Sequence, residues 1–148
     1  MKTKAKILYA VIRDVRLCFN LLRARADDLH KDLGVNASMR AVMESLAGAN
    51  ETTVPEIARS RGVSRQHIQV IANGLVDENL IEVRDNPDDK RTFLVSLTDQ
   101  GRVVFDEIQK REAVELRRLS RAFSSDELNV TLNALRKLSD ALKGAEDE

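Results

Sequence analysis

The sequence predicts a mainly α-helical chain that carries one small β-hairpin. Two helical patterns meet at a short turn over residues 62–64, and the apolar spacing then changes to alternation over residues 80–97. Long helical patterns with apolar stripes precede and follow this segment. Two helices joined by a tight turn and followed by a hairpin are the elements of a winged helix-turn-helix. We therefore expect a winged helix-turn-helix module flanked by long N- and C-terminal helices.

The N-terminal part predicts two helices. In the first, from about residue 5 to residue 33, apolar side chains recur every three or four positions. Gly34 ends this helix, because glycine suits the left-handed conformation that follows many helices. Asn36 is a fair N-cap for a second helix over residues 37–47, which Gly48 is expected to close.

The helix-turn-helix begins at Thr53, which can cap a third helix and form a capping box with Glu56. This short helix is expected to end near Arg61. Gly62 can supply the positive φ of the turn. Val63 is then expected to bury its side chain between the two helices.

The fourth helix, from Arg65 to about Glu78, has an apolar face and a polar face at about 100° per residue. Arg can contact guanine in a bidentate manner, Gln and Asn can contact adenine, and an apolar side chain can touch a thymine methyl. A capping serine and the helix N-terminus can receive a phosphate. The polar face is therefore predicted to read the DNA major groove with Ser64, Arg65, Gln66, Gln69, Val70 and Asn73.

The period-two segments at residues 80–84 and 92–97 predict two strands, joined by a polar turn over residues 85–91. Thr98 can cap a long fifth helix that extends to about residue 122. A capping box over Ser124–Glu127 then opens a last helix with a leucine stripe.

Net charge does not distinguish the segment predicted to bind DNA, residues 54–102, from the rest of the chain. The 148 residues carry 24 Lys and Arg against 24 Asp and Glu, so the formal net charge is zero. Residues 54–102 hold seven basic and eight acidic side chains, a balance of −1, whereas residues 1–40 have nine and four, a balance of +5. DNA binding needs local positive charge only, and we expect Arg59, Arg61 and Arg65 to lie at the docking end.

Four motifs of this segment occur in a characteristic order: Gly-Val-Ser-Arg-Gln at 62–66, Leu-Ile at 80–81, Asp-Asp-Lys-Arg at 88–91 and Val-Ser-Leu-Thr-Asp-Gln-Gly at 95–101. In these motifs the sequence resembles the MarR family of bacterial transcriptional regulators. Where the family often has glycine before the Leu-Ile pair, this chain has Asn79, which also tolerates the left-handed conformation.

The resemblance implies that Arg91 enters the minor groove and that Asp89 orients it, with Lys90 beside them. The residues themselves favour the same roles, because a guanidinium suits a narrow minor groove and a neighbouring carboxylate can pre-organise it. Arg84, at the base of the hairpin, is a candidate supporting residue and second partner for Asp89.

The resemblance also implies a homodimeric repressor that binds pseudo-palindromic double-stranded DNA and responds to a small aromatic or phenolic effector. It predicts an N-terminal dimerisation helix over residues 1–34, a DNA-binding domain over 35–101 and C-terminal dimerisation helices over 102–148. The apolar stripes of the terminal helices exceed what a winged module can cover, and a second copy related by a two-fold axis is the simplest cover.

Other functions are weighed against this one. Cys18 resembles the cysteine of hydroperoxide-sensing members of the family, in which tyrosines surround that cysteine, whereas this chain has only one tyrosine, Tyr9. The alternative to redox sensing is that Cys18 serves as a small apolar residue on its helix. A winged helix that binds protein rather than DNA is a further alternative. His30 and His67 do not have the spacing of metal ligands, and no motif predicts a cofactor or an enzyme. The N-terminus lacks the pattern of a signal peptide, which favours a cytoplasmic protein.

Overall fold

The computed structural model describes residues 3–145 of the chain. Along these residues, six α-helices and a three-stranded antiparallel sheet confirm the predicted fold class. The helices are α1 (Thr3–Leu29), α2 (Ala37–Ala49), α3 (Val54–Arg61), α4 (Arg65–Asp77), α5 (Asp99–Ser120) and α6 (Ser125–Gly144), and the strands are β1 (Glu51–Thr52), β2 (Ile81–Asp85) and β3 (Phe93–Leu97).

The first helix ends earlier than predicted. After α1 stops at Leu29, a 3-10 turn over Lys31–Leu33 carries the chain to Gly34. Gly34 has a φ of 70°, which confirms the left-handed position. Asn36 then caps α2 as predicted, since its side chain accepts a hydrogen bond from the N–H of Met39 at 2.8 Å.

The prediction that Gly48 closes α2 is wrong. The helix continues to Ala49, and the positive φ of 61° falls on Asn50. Asparagine is one of the residues that adopt positive φ more readily than most. The next two residues, Glu51 and Thr52, form β1, and a strand this short has too few residues to produce an alternating pattern.

The start of α3 differs in one detail from the prediction. Thr53 is the N-cap, because its hydroxyl accepts a hydrogen bond from the N–H of Glu56 at 3.3 Å. The carboxylate of Glu56 does not complete a capping box with Thr53. It accepts a hydrogen bond from the hydroxyl of Thr52 at 2.5 Å, which links α3 to β1.

Strand β3 lies in the centre of the sheet, between β1 and β2. The predicted hairpin is confirmed, with Ile81 opposite Leu97 and Asp85 opposite Phe93. Strand β1 adds a third strand on the other side of β3, where Glu51 faces Ser96. Because β1 leads directly into α3, this pairing connects the start of the helix-turn-helix to the hairpin.

The last two helices begin as predicted. The hydroxyl of Thr98 accepts a hydrogen bond from the N–H of Gly101 at 2.9 Å at the start of α5. At α6 the capping box is complete: Ser124 Oγ accepts from the N–H of Glu127 at 3.2 Å, and the Glu127 carboxylate accepts from the N–H of Ser124 at 2.8 Å.

The described residues group into two compact units, one up to Gln109 and one from Lys110 onward. The first unit contains the hydrophobic core, which is aliphatic apart from Phe105, as the composition implies. Among the described helices, none combines the length and apolar character of a membrane span. The largest fully buried apolar side chains of the core are Val42, Met43, Leu46, Leu75, Ile81, Val95 and Ile108.

Candidate nucleic-acid interface

The turn between α3 and α4 has the predicted geometry at its glycine. Gly62 has a φ of 66°, and its N–H donates to the carbonyl of Arg59 at 3.3 Å. The N–H of Val63 donates to the carbonyl of Ala58 at 3.0 Å, and Ala58 is buried where the helices meet. The prediction that Val63 buries its side chain is wrong, because that side chain is 41% exposed.

Helix α4 is anchored by one face and exposed on the other. Ile68, Ala72 and Leu75 are buried in the core, which fixes the rotation of the helix. Ser64 caps it, accepting a hydrogen bond from the N–H of His67 at 3.1 Å. All the residues that the sequence assigned to the major groove are exposed, with Ser64 at the N-cap and the others along α4: Arg65, Gln66, Gln69, Val70 and Asn73.

Two side chains of this exposed face contact each other. Gln69 Nε2 donates a hydrogen bond to Asn73 Oδ1 at 2.9 Å, across one turn of α4. Val70, next to Gln69, is 66% exposed, which is high for a β-branched apolar side chain on a polar surface. A thymine methyl is one group that such a side chain could contact.

The tip of the hairpin holds a cation beside a carboxylate. Asp89 Oδ1 accepts from the backbone N–H of Arg91 at 3.0 Å and from its Nε at 3.1 Å. The guanidinium of Arg91 nevertheless remains 90% exposed. Hydrogen bonds from the Arg91 side chain and backbone lower the pKa of Asp89, and the same carboxylate raises the pKa of Arg91. The pair therefore stays ionised over the physiological range while presenting its positive end to solvent.

Hydrogen bonds within the turn hold this tip in shape. Thr92 donates from its N–H at 3.1 Å, and from its hydroxyl at 3.2 Å, to the carbonyl of Asp89. Asn86 Nδ2 donates to the Thr92 hydroxyl at 2.9 Å, and Asn86 Oδ1 accepts from the N–H of Asp88 at 3.0 Å. Lys90, which makes none of these contacts, lies exposed between the two members of the Asp89–Arg91 pair.

Arg84 contacts a different residue from the one predicted. Its Nε and terminal nitrogen bind the two carboxylate oxygens of Glu51 at 3.0 and 2.6 Å, whereas Asp89 pairs with Arg91. The hydrogen bond from Arg84 lowers the pKa of Glu51, and the carboxylate raises that of Arg84. The sequence could not indicate this pair, because β1 brings Glu51 beside the hairpin only once the sheet forms.

Arg61 also takes a different place from the one expected. Its Nε donates to Ser45 Oγ at 3.0 Å, and its terminal nitrogen donates to the carbonyl of Ala41. Partial burial, together with the charge of Arg40, lowers the pKa of Arg61. The residue therefore ties the end of α3 to α2. Arg59 and Arg65, which were expected at the same end, are exposed.

The Leu-Thr-x-x-Gly part of the motif at 95–101, formed by Leu97, Thr98 and Gly101, is explained by packing. Besides capping α5, the Thr98 hydroxyl donates to the carbonyl of Asn79 at 2.7 Å, and the Thr98 N–H donates to the carbonyl of Leu80 at 3.1 Å. Asn79 has a φ of 58°, as its left-handed role requires. A Cβ on Gly101 would lie 1.9 Å from the Leu80 carbonyl oxygen, so no larger side chain fits there. The motif joins the start of β2 to the start of α5.

The sequence also drew attention to Cys18, His30 and His67. Cys18 is exposed on α1 as a free thiol. His30 is buried and His67 is exposed on α4. Across residues 3–145, no three His, Cys, Asp or Glu side chains are grouped as metal ligands would be.

The chain is similar in sequence to one described protein family and to several known proteins. The sequence profile described as "MarR family" matches residues 33–92. An uncharacterized protein of Mycobacterium tuberculosis is 40% identical over 99 residues, which are 67% of this chain and 69% of that protein. The HTH-type transcriptional repressor MdtR of Bacillus subtilis is 26% identical and spans 100% of this chain and 96% of its own length.

Solved structures give the same result for the fold. The crystal structure of a MarR family transcription regulator superposes with a TM-score of 0.83 at 26% identity, covering 98% of this chain and 96% of that one. A mutant MarR from E. coli in complex with operator DNA superposes with a TM-score of 0.80 at 21% identity, covering 93% and 99%. At that identity the second comparison supports the fold alone.

Proposed function

The chain belongs to the MarR family of winged helix-turn-helix transcription regulators, and from this premise we propose that it is a ligand-responsive repressor that binds pseudo-palindromic operators as a homodimer. The observation that carries the proposal is that all six predicted reading residues are exposed along α4 and its N-cap, while Ile68, Ala72 and Leu75 fix the helix in the core. A rigid helix with an exposed polar face can enter the major groove as a unit.

The hairpin supplies the second contact of the proposed interface. Arg91 is 90% exposed and is held from behind by Asp89. A guanidinium that is oriented before binding loses little side-chain freedom when it enters a minor groove. We propose that α4 reads base edges while Arg91 detects the narrow minor groove of adjacent A·T-rich DNA. Lys90 adds a phosphate contact, and Arg84, paired with Glu51, supports the hairpin at its base.

The terminal helices supply the proposed dimer contact. Along α1, Leu8, Val11 and Val15 are 39–46% exposed although they share an apolar stripe, and none of the α6 residues, all of which the structure describes, is buried. Exposed apolar stripes on two helices favour burial against a second copy. We propose residues 1–34 and 102–148 as the dimerisation regions and residues 35–101 as the DNA-binding domain. The predicted leucine stripe of α6 consists of Leu128, Leu132, Leu135, Leu138 and Leu142, of which Leu138 is half-buried and the others are exposed.

The proposed effector site is a cleft of about 350 Å³ between α2, β3 and α5. That volume suits a small organic ligand. Phe105 and Leu97 supply apolar contacts there, and Arg102 can pair with the carboxylate of an aromatic acid or with a phenolate. Glu44, at the rim, is already paired with Arg40. The other lining residues are Ala47, Gly48, Asp106 and Gln109.

Binding to DNA upstream of the chain's own gene, measured against salt, tests the DNA-binding proposal. A dimer that neutralises six to ten phosphates should lose affinity by about 10³- to 10⁵-fold between 50 and 200 mM salt, since counterions are released on binding. Footprinting should reveal two half-sites about one helical turn apart. A flat salt response would favour a module that binds protein rather than DNA. Equal affinity for unrelated DNA would contradict sequence-specific binding to an operator.

Sedimentation of two variants tests the dimer. Val15→Glu places a carboxylate within the α1 stripe and should shift the protein toward monomer with a parallel loss of operator affinity. Lys6→Glu introduces the same carboxylate on the opposite side of α1, where Lys6 is exposed, and should leave the dimer intact. Equal sedimentation of both variants and the wild type would contradict the assignment of the stripe.

A further inference from the structure

The hydrogen bond between Gln69 and Asn73 changes how the reading face must work. Taken separately, the two amides could each read an adenine, because each carries one donor and one acceptor. In the structure, however, Gln69 Nε2 donates to Asn73 Oδ1 at 2.9 Å. This bond uses one of the two lone pairs of Asn73 Oδ1 and ties the two amides together, so neither amide can turn toward a base independently of the other.

Gln69 keeps both groups that a bidentate contact with adenine requires, a donor hydrogen and an acceptor oxygen. Its Nε2 carries two hydrogens, and one of them remains after the bond to Asn73, while Oε1 is unoccupied by this bond. Adenine presents an N6 donor and an N7 acceptor in the major groove, which match that acceptor and that remaining hydrogen. A glutamine side chain has three rotatable bonds, so a hydrogen bond that fixes its amide reduces the conformational freedom lost on binding.

From this geometry we propose that Gln69 and Asn73 act as one unit that reads a single adenine, with Gln69 in contact with the base and Asn73 as a positioning residue. The inference rests on the proposed entry of α4 into the major groove. The free Nδ2 hydrogens of Asn73 can still donate to a phosphate or to a neighbouring base acceptor. Asn73 thus holds the amide of Gln69 in place, and we assign the adenine preference to Gln69.

The test uses the full chain and operator DNA obtained by selection from random duplexes. Dissociation constants are measured for the wild type, Gln69→Ala, Asn73→Ala and the double variant on the selected site. They are measured again on duplexes in which each A·T pair in turn is replaced, or each adenine is replaced by 7-deazaadenine, which lacks the N7 acceptor.

We expect the wild type to prefer adenine at one position by about tenfold or more. Gln69→Ala should abolish that preference, Asn73→Ala should weaken it at the same position, and the double variant should behave like Gln69→Ala alone. Additive losses at two different base pairs would overturn the inference while leaving DNA reading by α4 intact. If the wild type selects no sequence at all, both the proposed function and this inference fail.

Asn73→Asp separates positioning from a general contribution to folding or affinity. Aspartate keeps an acceptor for Gln69 Nε2, so the ratio of affinities for adenine and its replacement should match that of the wild type. The added negative charge near phosphates should lower the affinity for every sequence by a similar factor. A lost adenine preference in Asn73→Asp, with an unfolding transition like that of the wild type, would contradict the positioning role.

Discussion

Gly101→Ala is expected to destabilise the protein by separating α5 from the start of β2. The added Cβ would lie 1.9 Å from the Leu80 carbonyl oxygen and 2.9 Å from its carbonyl carbon. Relief of the closer contact requires a shift of about 1 Å, since Cβ atoms do not approach other heavy atoms within about 3 Å. The atoms that must move belong to the backbone, so no side-chain rotation can relieve the clash.

The magnitude follows from opposing terms. Overpacking a tight site costs about 1–3 kcal/mol. A shift of the Leu80 carbonyl also weakens its hydrogen bond from the Thr98 N–H, which contributes about 1 kcal/mol. Alanine recovers up to about 1 kcal/mol of helix propensity relative to glycine. The net loss should be about 1–3 kcal/mol in the free energy of unfolding.

Urea unfolding at one fixed protein concentration measures the effect, because dimerisation would make stability depend on concentration. Gly48→Ala is the matched control: Gly48 lies in α2, is exposed, and has open space where a Cβ would be added. Its alanine variant should be neutral or more stable by up to about 1 kcal/mol. If the two alanine variants have equal unfolding midpoints, the close approach of α5 to Leu80 does not hold the module together.

Three further predictions concern the hairpin and the cysteine. Arg91→Ala should lower operator affinity by about tenfold, mostly where the flanks are A/T-rich; a uniform loss across flanks would make Arg91 a plain phosphate contact. Glu51→Gln should weaken the pair with Arg84 and make the protein less stable than the wild type. Because Arg84 lowers the pKa of Glu51, this difference in the free energy of unfolding should be present above the ordinary pKa range of glutamate and should vanish as the pH falls through the pKa of Glu51 in the folded state. Unfolding measured as a function of pH tests this. Cys18→Ser should respond to hydroperoxide as the wild type does, since Tyr9 is the only tyrosine; loss of operator affinity in the wild type alone would support redox sensing.

Local rules made much of the fold predictable from the sequence. Asn36, Thr53, Ser64, Thr98 and Ser124 each cap the helix that they were expected to cap, because capping depends on a side chain and an N–H only a few residues apart. The exposed face of α4 was predictable for a similar reason, since helical periodicity alone separates the buried positions from the exposed ones.

Some predictions failed locally, as at Glu56 and Val63, and others failed because a residue's partner is distant in sequence. Gly48 stayed within α2 because the chain turns at Asn50 to place β1 against β3. Arg61 contacts Ala41 and Ser45 on α2 instead of facing the docking end. Such contacts depend on how whole helices pack, which no local pattern records.

The sequence by itself determined the succession of the six helices and the two hairpin strands, the exposure of the six residues predicted to read DNA, and the Asp89–Arg91 pair, since each rests on neighbours within a turn or two of the chain. The tertiary structure decided the rest. Sheet formation brought Glu51 to Arg84, 33 positions away, and close packing left room only for glycine at position 101. It also decided that Gln69 and Asn73 contact each other, because helical spacing makes that hydrogen bond possible but the side-chain rotamers determine whether it forms.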